Sequence, residues 1–397
     1  MKKVLLMLMM VIALFSMPAL SKVEATARTI TDEYYSSYVN FTIDTFQELA
    51  TDSNIVYSPI SLYYVLAMLA SMSDGSAQEQ LATVMGVDRE TMLEQIQWLT
   101  NDILVDDEEG EYWFDNTLYF DNTFNLYDAS YLQSYQHYFN YELADYDFAD
   151  GSAGEALANK ISEGTNHFLE MTPQDFDFIK DDNILFANSI YYKGLWSNKY
   201  NTSSTEEEYF YPETGDEYLT DFMYKNKSTL TYVAEDGVAL KDRFKDGSTM
   251  IFILPDEDLS VNDIISSDEA MLRYIDSSNY SAMDVSIYLP KFEITARPAV
   301  KNMLIDLGLT SVFEPSTSTF PDLTEQAFAL TDMMQVVKVM VDEEGATAAA
   351  TTITVGCAAA APLEPITFRA NRPFIYMIMS STDIPLFIGV NYNINNG

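Results

Sequence analysis

The chain reads as a single α+β domain, on three features of its sequence. Apolar residues recur at helical spacing between recognisable caps early in the chain, and from Ile184 onward they gather in short runs bounded by Pro, Gly and Asp. No repeat and no Pro- or Ser-rich linker divides the 397 residues. With 48% apolar and 13% aromatic residues, the chain can bury a large core.

The first 25 residues, MKKVLLMLMMVIALFSMPALSKVEA, have a Lys2-Lys3 start, an apolar run from Val4 to Leu20 broken only by Ser16 and Pro18, and a small-residue site at Val23-Glu24-Ala25. That is the pattern of a secretory signal peptide cleaved after Ala25, and the short basic start suits a bacterial leader. The apolar run falls short of the roughly 20 residues a spanning helix needs. Residues 26–397 then form the mature domain, expected outside the cell.

Val39, Ile43, Phe46 and Leu49 predict an amphipathic helix over residues 35–50. In "NIVYSPISLYYVLAMLASMSDG", Ser58 is an N-cap, Pro59 fills the first helical position, and Leu62, Val65, Leu66 and Leu69 form the stripe of a buried helix that Gly75 would stop. Ser76 and Glu79 have the spacing of a capping box for a third helix ending at Gly86. "ILFANSIYY", "TMIFILP", "DVSIYLP", "VVKVMVD", "PFIYMIM" and "PLFIGVNY" read as strands, the last two joined by the hairpin-length "SSTDI".

The 61 acidic and 21 basic residues give a formal charge of −40, and removing the leader makes the chain more acidic still. Nucleic acid and heparin-like polymers are excluded as partners by repulsion, whereas a basic partner would be steered in. With Cys357 alone no internal disulfide forms, so packing must supply stability, and a monomer is expected.

Chemistry is sparse. His137 and His167 have no histidine partner at helical spacing, and one cysteine excludes a zinc or redox motif. "DYDFADG", from Asp145 to Gly151, fails as a calcium loop at Ala149, Asp150 and Ala156. No glycine-rich phosphate loop or nucleophile elbow occurs, and nothing near Cys357 would lower its pKa. Neither an enzyme nor a cofactor or metal is expected.

The ordered motifs resemble the serpin family. "NIVYSPISLYYVLAML" looks like its Asn-x-x-x-Ser-Pro-x-Ser helix, "FANSIYYKGLW" like its Asn-x-x-x-Phe-Lys-Gly-x-Trp strand, and "IYLPKFEI" like its Leu-Pro-Lys-Phe signature. "VDEEGATAAATT" resembles the reactive-loop hinge, and "FRANRPFIYMI" with "PLFIGVNYN" resembles the closing strands. The resemblance implies a large central sheet, further sheets, surrounding helices and an exposed reactive-centre loop at about residues 343–365. It places Ser58, Ser61 and Asn188 at the shutter, where the central sheet parts, and Trp196 at the breach, where the loop enters. Lys291 and Glu343 match a pair that bridges the top of that sheet. Gln335 stands where the family often has histidine, and its amide can donate and accept hydrogen bonds but cannot titrate.

The loop sequence has its own logic. Beyond Gly345 an extended chain would turn Ala346, Ala348, Ala350, Thr352, Thr354 and Gly356 to one face and Thr347, Ala349, Thr351, Ile353, Val355 and Cys357 to the other. The first face is uniformly small, as a strand entering a preformed sheet requires, while the β-branched residues favour extension. Insertion would add ten or more ladder hydrogen bonds, on the order of 10 kcal/mol net, so the exposed loop must be kinetically trapped.

By resemblance the chain is a suicide inhibitor: a protease cuts the loop, forms an acyl-enzyme, and is dragged away as the loop inserts. The family's usual hinge length from Glu343 places the reactive bond at Ala359-Ala360, and its small residues suit an elastase-like or subtilisin-like serine protease, with a papain-like cysteine protease as a further target. Cys357, two residues before that bond, is either a small residue of convenient size or an oxidisable brake. The alternative is a non-inhibitory binding or chaperone-like member of the same fold, although its hinge would carry bulky or charged residues, which this one lacks.

Overall fold

The computed structural model describes residues 29–103, 110–124, 138–139, 142–165, 167–176, 184–316, 319–321, 323–324, 327, 329–330, 333, 335–346 and 366–394. The expected leader, most of the expected reactive loop with Thr347, Ala348, Ala349, Ala350, Cys357, Ala359 and Ala360, and the last three residues lie outside them.

Helix α1 spans Asp32–Leu49; Thr31 caps it by accepting from the Tyr34 amide, and Asp32 and Glu33 sit favourably in its first turn. A short strand β1, Ile55–Tyr57, leads to α2, Pro59–Met72, capped by Ser58 and buried at every residue. This helix ends at Met72, before the predicted stop, because Asp74 is already the N-cap of α3, Gly75–Met85. The capping box expected of Ser76 and Glu79 does not form; the Ser76 hydroxyl lies 3.0 Å from that of Ser311. Gly86 does end α3, in the left-handed conformation with φ 70° that glycine adopts without steric cost.

After α4, Arg89–Ile103, come β2, Gly110–Asp121, β3, Glu142–Tyr146, α5, Ser152–Gly164, and β4, Ile184–Leu195. Strands β5, Glu206–Phe210, β6, Tyr218–Val233, β7, Gly237–Arg243, and β8, Thr249–Pro255, follow. Two short helices, α6, Val261–Ile265, and α7, Asp268–Ile275, precede β9, Ser281–Pro290, β10, Phe292–Ala296, and α8, Val300–Asp306. The chain closes with β11, Val337–Val341, β12, Gly345–Ala346, β13, Ile366–Arg369, β14, Phe374–Met379, and β15, Pro385–Asn391.

Among the described residues the strands form three sheets. The largest runs β1-β15-β14-β8-β7-β6-β9-β13, with β5 also on β6, and is mixed because β13 lies parallel to β9. A second runs β12-β4-β2-β3, and β10 and β11 form a two-stranded third. All six predicted strands are present, and β14 and β15 pair as the expected hairpin. Every residue of both strands is buried: β15 lies under α1 and α2, and Phe374 and Tyr376 of β14 pack on Phe292 of β10, which is why they read as unbroken apolar runs.

Among the described residues no ladder joins β4 to β11. The two-residue strand β12 lies at that seam, antiparallel to β4 with Gly345 opposite Leu195 and Ala346 opposite Gly194.

Candidate functional site: the seam beside the hinge

The chain leaves β11 and reverses over Asp342, Glu343 and Glu344. Asp342 builds the turn: its Oδ1 accepts from the amides of Glu344 at 2.9 Å and Gly345 at 3.2 Å, and its own amide donates to the Gly345 carbonyl at 3.1 Å. The segment following β4 receives the turn through its backbone. The Trp196 amide donates to the Glu344 carbonyl and the Tyr200 amide to the Glu343 carbonyl, both at 3.0 Å. The Trp196 indole Nε1 donates to the Asp342 carbonyl at 2.9 Å, and its ring, 1% exposed, stacks on Phe244 with centroids 4.5 Å apart. Trp196 is thus both a wall of the core and a donor to the hinge.

Glu343 faces Lys291 Nζ at 3.1 Å and accepts from the Thr205 hydroxyl at 2.8 Å. Its partial burial works to raise the carboxyl pKa, but the Thr205 and Lys291 contacts outweigh that and hold it below the ordinary value. Glu344 pairs with Lys199 at 3.3 Å.

Gly345 is required by close approach: a Cβ there would run into the Gly194 carbonyl and lie 2.9 Å from Leu195 Cα, both backbone.

A buried charge cluster lies behind Trp196 and Tyr200. Asp242, with no exposed surface, takes Lys225 at 2.7 Å and Lys227 at 2.6 Å, and accepts from the Tyr200 hydroxyl at 3.0 Å. Burial works to raise the Asp242 pKa, but the two lysines prevail and bring it down to about 2. Sequence reasoning found neither this cluster nor Asp342, Thr205 and Tyr200. The available signal was a pair of lysines on alternate positions of a strand in a strongly acidic chain.

At the far end of the seam, Gln335 clasps the start of α2. Its Oε1 accepts from the Ser58 amide at 2.9 Å, and its Nε2 donates to the Ser58 carbonyl at 3.0 Å. The Ser58 hydroxyl donates to the Leu386 carbonyl at 2.8 Å and accepts from the Ser61 amide, so one serine joins α2, β15 and the approach to β11. Asn188 lies on β4 opposite Asn116 of β2. Replacing Gln335 by leucine strands the buried Ser58 amide, and denaturant unfolding should then show a loss of about 1–3 kcal/mol.

Of the positions proposed for shutter, breach and hinge, six fall in two groups, and Asn188, known here only by its place on β4, joins neither. Ser61 and Gln335 each bond Ser58, and Trp196, Lys291 and Glu343 gather at the hinge turn through direct contacts or through neighbouring residues.

Comparison with known proteins agrees with this architecture. The chain is 26% identical over 386 residues to serine protease inhibitor 88Ea of Drosophila melanogaster, covering 90% of each. It superimposes on the native state of the thermophilic serpin tengpin with a TM-score of 0.81 at 24% identity, covering 93% of this chain and 96% of that one. Thyroxine-binding globulin in complex with thyroxine has the same fold, with a TM-score of 0.76 at 20% identity, covering 91% and 99%. The family model described as Serpin (serine protease inhibitor) matches residues 36–394, the helices, sheets and hinge described above included, and the chain belongs to the serpin family.

Proposed function

We propose that the protein is exported, loses residues 1–25, and acts outside the cell as a suicide inhibitor of serine proteases. The protease attacks the loop near Ala359-Ala360, and the acyl-enzyme is trapped as the loop enters the seam between β4 and β11. An inserted strand of about 15 residues at ~3.3 Å each would carry the protease roughly 50 Å. The distorted enzyme then fails to deacylate.

The observation that carries this reading is β12. Gly345 and Ala346 already pair with β4, in the antiparallel direction that continued insertion would follow, and the turn behind them is held by four backbone or indole hydrogen bonds to its surroundings and within itself: from Trp196, Tyr200 and the Asp342 amide. The small residues after Ala346 extend the pattern. The alanines around the proposed bond favour proteases with a shallow primary pocket, elastase-like or subtilisin-like, over those that require Arg or Lys. A papain-like cysteine protease would form the equivalent thioester.

Mixing the protein with an elastase-like protease tests the reading. A one-to-one complex that survives hot detergent is the expected result. Clean cleavage with no complex, across a panel of such proteases, would favour a non-inhibitory binding member instead.

A further inference from the structure

A buried ion pair is weak evidence for stability, because well-packed apolar residues of similar volume serve at least as well. What Lys225 and Asp242 touch is more informative. Besides Asp242, the Lys225 ammonium donates to the Asn198 carbonyl at 2.7 Å, and it lies 3.7 Å from the centroid of the Tyr200 ring and 5.3 Å from that of Trp196. Asp242 holds the Tyr200 hydroxyl. One ion pair thus ties Trp196, Asn198 and Tyr200 to β6 and β7. These same residues supply the two amides that receive the hinge carbonyls of Glu343 and Glu344.

We infer that Lys225 and Asp242 are positioning residues for loop insertion: the charged pair holds the Trp196–Tyr200 segment in the register that accepts the hinge turn. The inference rests on the insertion reading above. Without the ammonium, the Asn198 carbonyl loses its donor and the two aromatic rings lose the cation between them and Asp242. The segment is then free to shift, the hinge docks more slowly, and deacylation gains on trapping.

The groups facing Lys225 make its charge adjustable. Asp242 lies on β7, Lys227 on its own strand, and the Tyr200 phenol on the segment it holds, while β9 sets Ile287 opposite it. Burial pushes the Lys225 pKa down to about 8; Asp242 opposes that fall and Lys227 adds to it. Raising the pH through this region removes the proton that the clamp needs.

The test compares the whole protein with its Lys225→Arg and Lys225→Met variants, using one elastase-like protease between about pH 7 and 9. It reads the ratio of trapped to cleaved inhibitor and, separately, hydrogen exchange at the Trp196 and Tyr200 amides. Loss of a hydrogen bond to a charged group should cut trapping in Lys225→Met about tenfold and speed exchange of both amides by a similar factor. The rate of the first cut should not change. Trapping by the original protein should fall as the pH rises, and Lys225→Arg, which keeps its charge, should lose that slope. Equal trapping in Lys225→Met, or the same slope in Lys225→Arg, overturns the inference. If the original protein traps nothing, the insertion reading fails, and the exchange arm alone decides the clamp: unchanged protection in Lys225→Met overturns it. If Lys225→Met does not fold, the slope comparison with Lys225→Arg decides it.

Discussion

On the proposed trapping mechanism, replacing Gly345 by valine is expected to turn an inhibitor into a substrate. At the head of β12 the backbone of Gly345 passes so close to β4 that any Cβ would meet the Gly194 carbonyl and the Leu195 Cα. Neither can yield. Gly194 is paired with Gly110 of β2 on its other side, and a Cβ on Gly194 itself would lie 2.7 Å from the Phe244 ring, the ring on which Trp196 stacks. Overpacking of this kind costs about 1–3 kcal/mol. A valine would therefore lift β12 off β4 in the intact protein, and the entering loop must meet that cost, slowing insertion by roughly five- to 160-fold, while cutting of a bond more than ten residues away proceeds at its ordinary rate. Measured on a denaturing gel, the yield of protease complex should fall at least about fivefold, and the cleaved inhibitor should rise to match. Ala346→Arg should act in the same direction, by carrying an unpaired charge into the sheet beside Gly194.

How much of this was legible in the sequence depended on how local the signal was. Ser58-Pro59 announced the start of α2 because a cap and a preset φ act within one turn. The next boundary was misread for the same reason: two cap candidates stand close together, and Asp74 took the role assigned to Ser76. Strands buried on both faces, such as β14 and β15, were visible as apolar runs, but β6 was not. Most of its 16 positions are exposed or only partly buried, and it carries Lys225, Asn226, Lys227 and Ser228 at its centre. Its lysines look like solvent-facing charges until topology sets β7 beside it and brings Asp242 within reach. The hinge residues came from family resemblance and from the run of small side chains. The turn that holds them could not be read at all, because its donors, Trp196 and Tyr200, belong to a segment more than a hundred residues earlier.

The second large effect is on stability. If the native loop is held out of a sheet that could accept it, cutting the loop releases the constraint, and the new strand completes two ladders at once. Ten or more hydrogen bonds at roughly 0.5–1.5 kcal/mol net give a gain on the order of 10 kcal/mol. For a chain of this size each kcal/mol moves the melting temperature by about 1.2 °C, so cleavage should raise it by about 12 °C. Few covalent cuts stabilise a protein, since a nick ordinarily adds more freedom to the unfolded chain than to the folded one. The sign of the change is therefore diagnostic.

The central claim, that the seam beside β4 receives the rest of the loop, is tested most directly by calorimetry before and after a single cut. The loop is nicked by a protease that cleaves it without being trapped, the nick is placed by mass spectrometry between Cys357 and Ala361, and both forms are melted under the same conditions. A cleaved form that melts about 12 °C above the intact one is the predicted result. A cleaved form that melts at or below the intact temperature would contradict it.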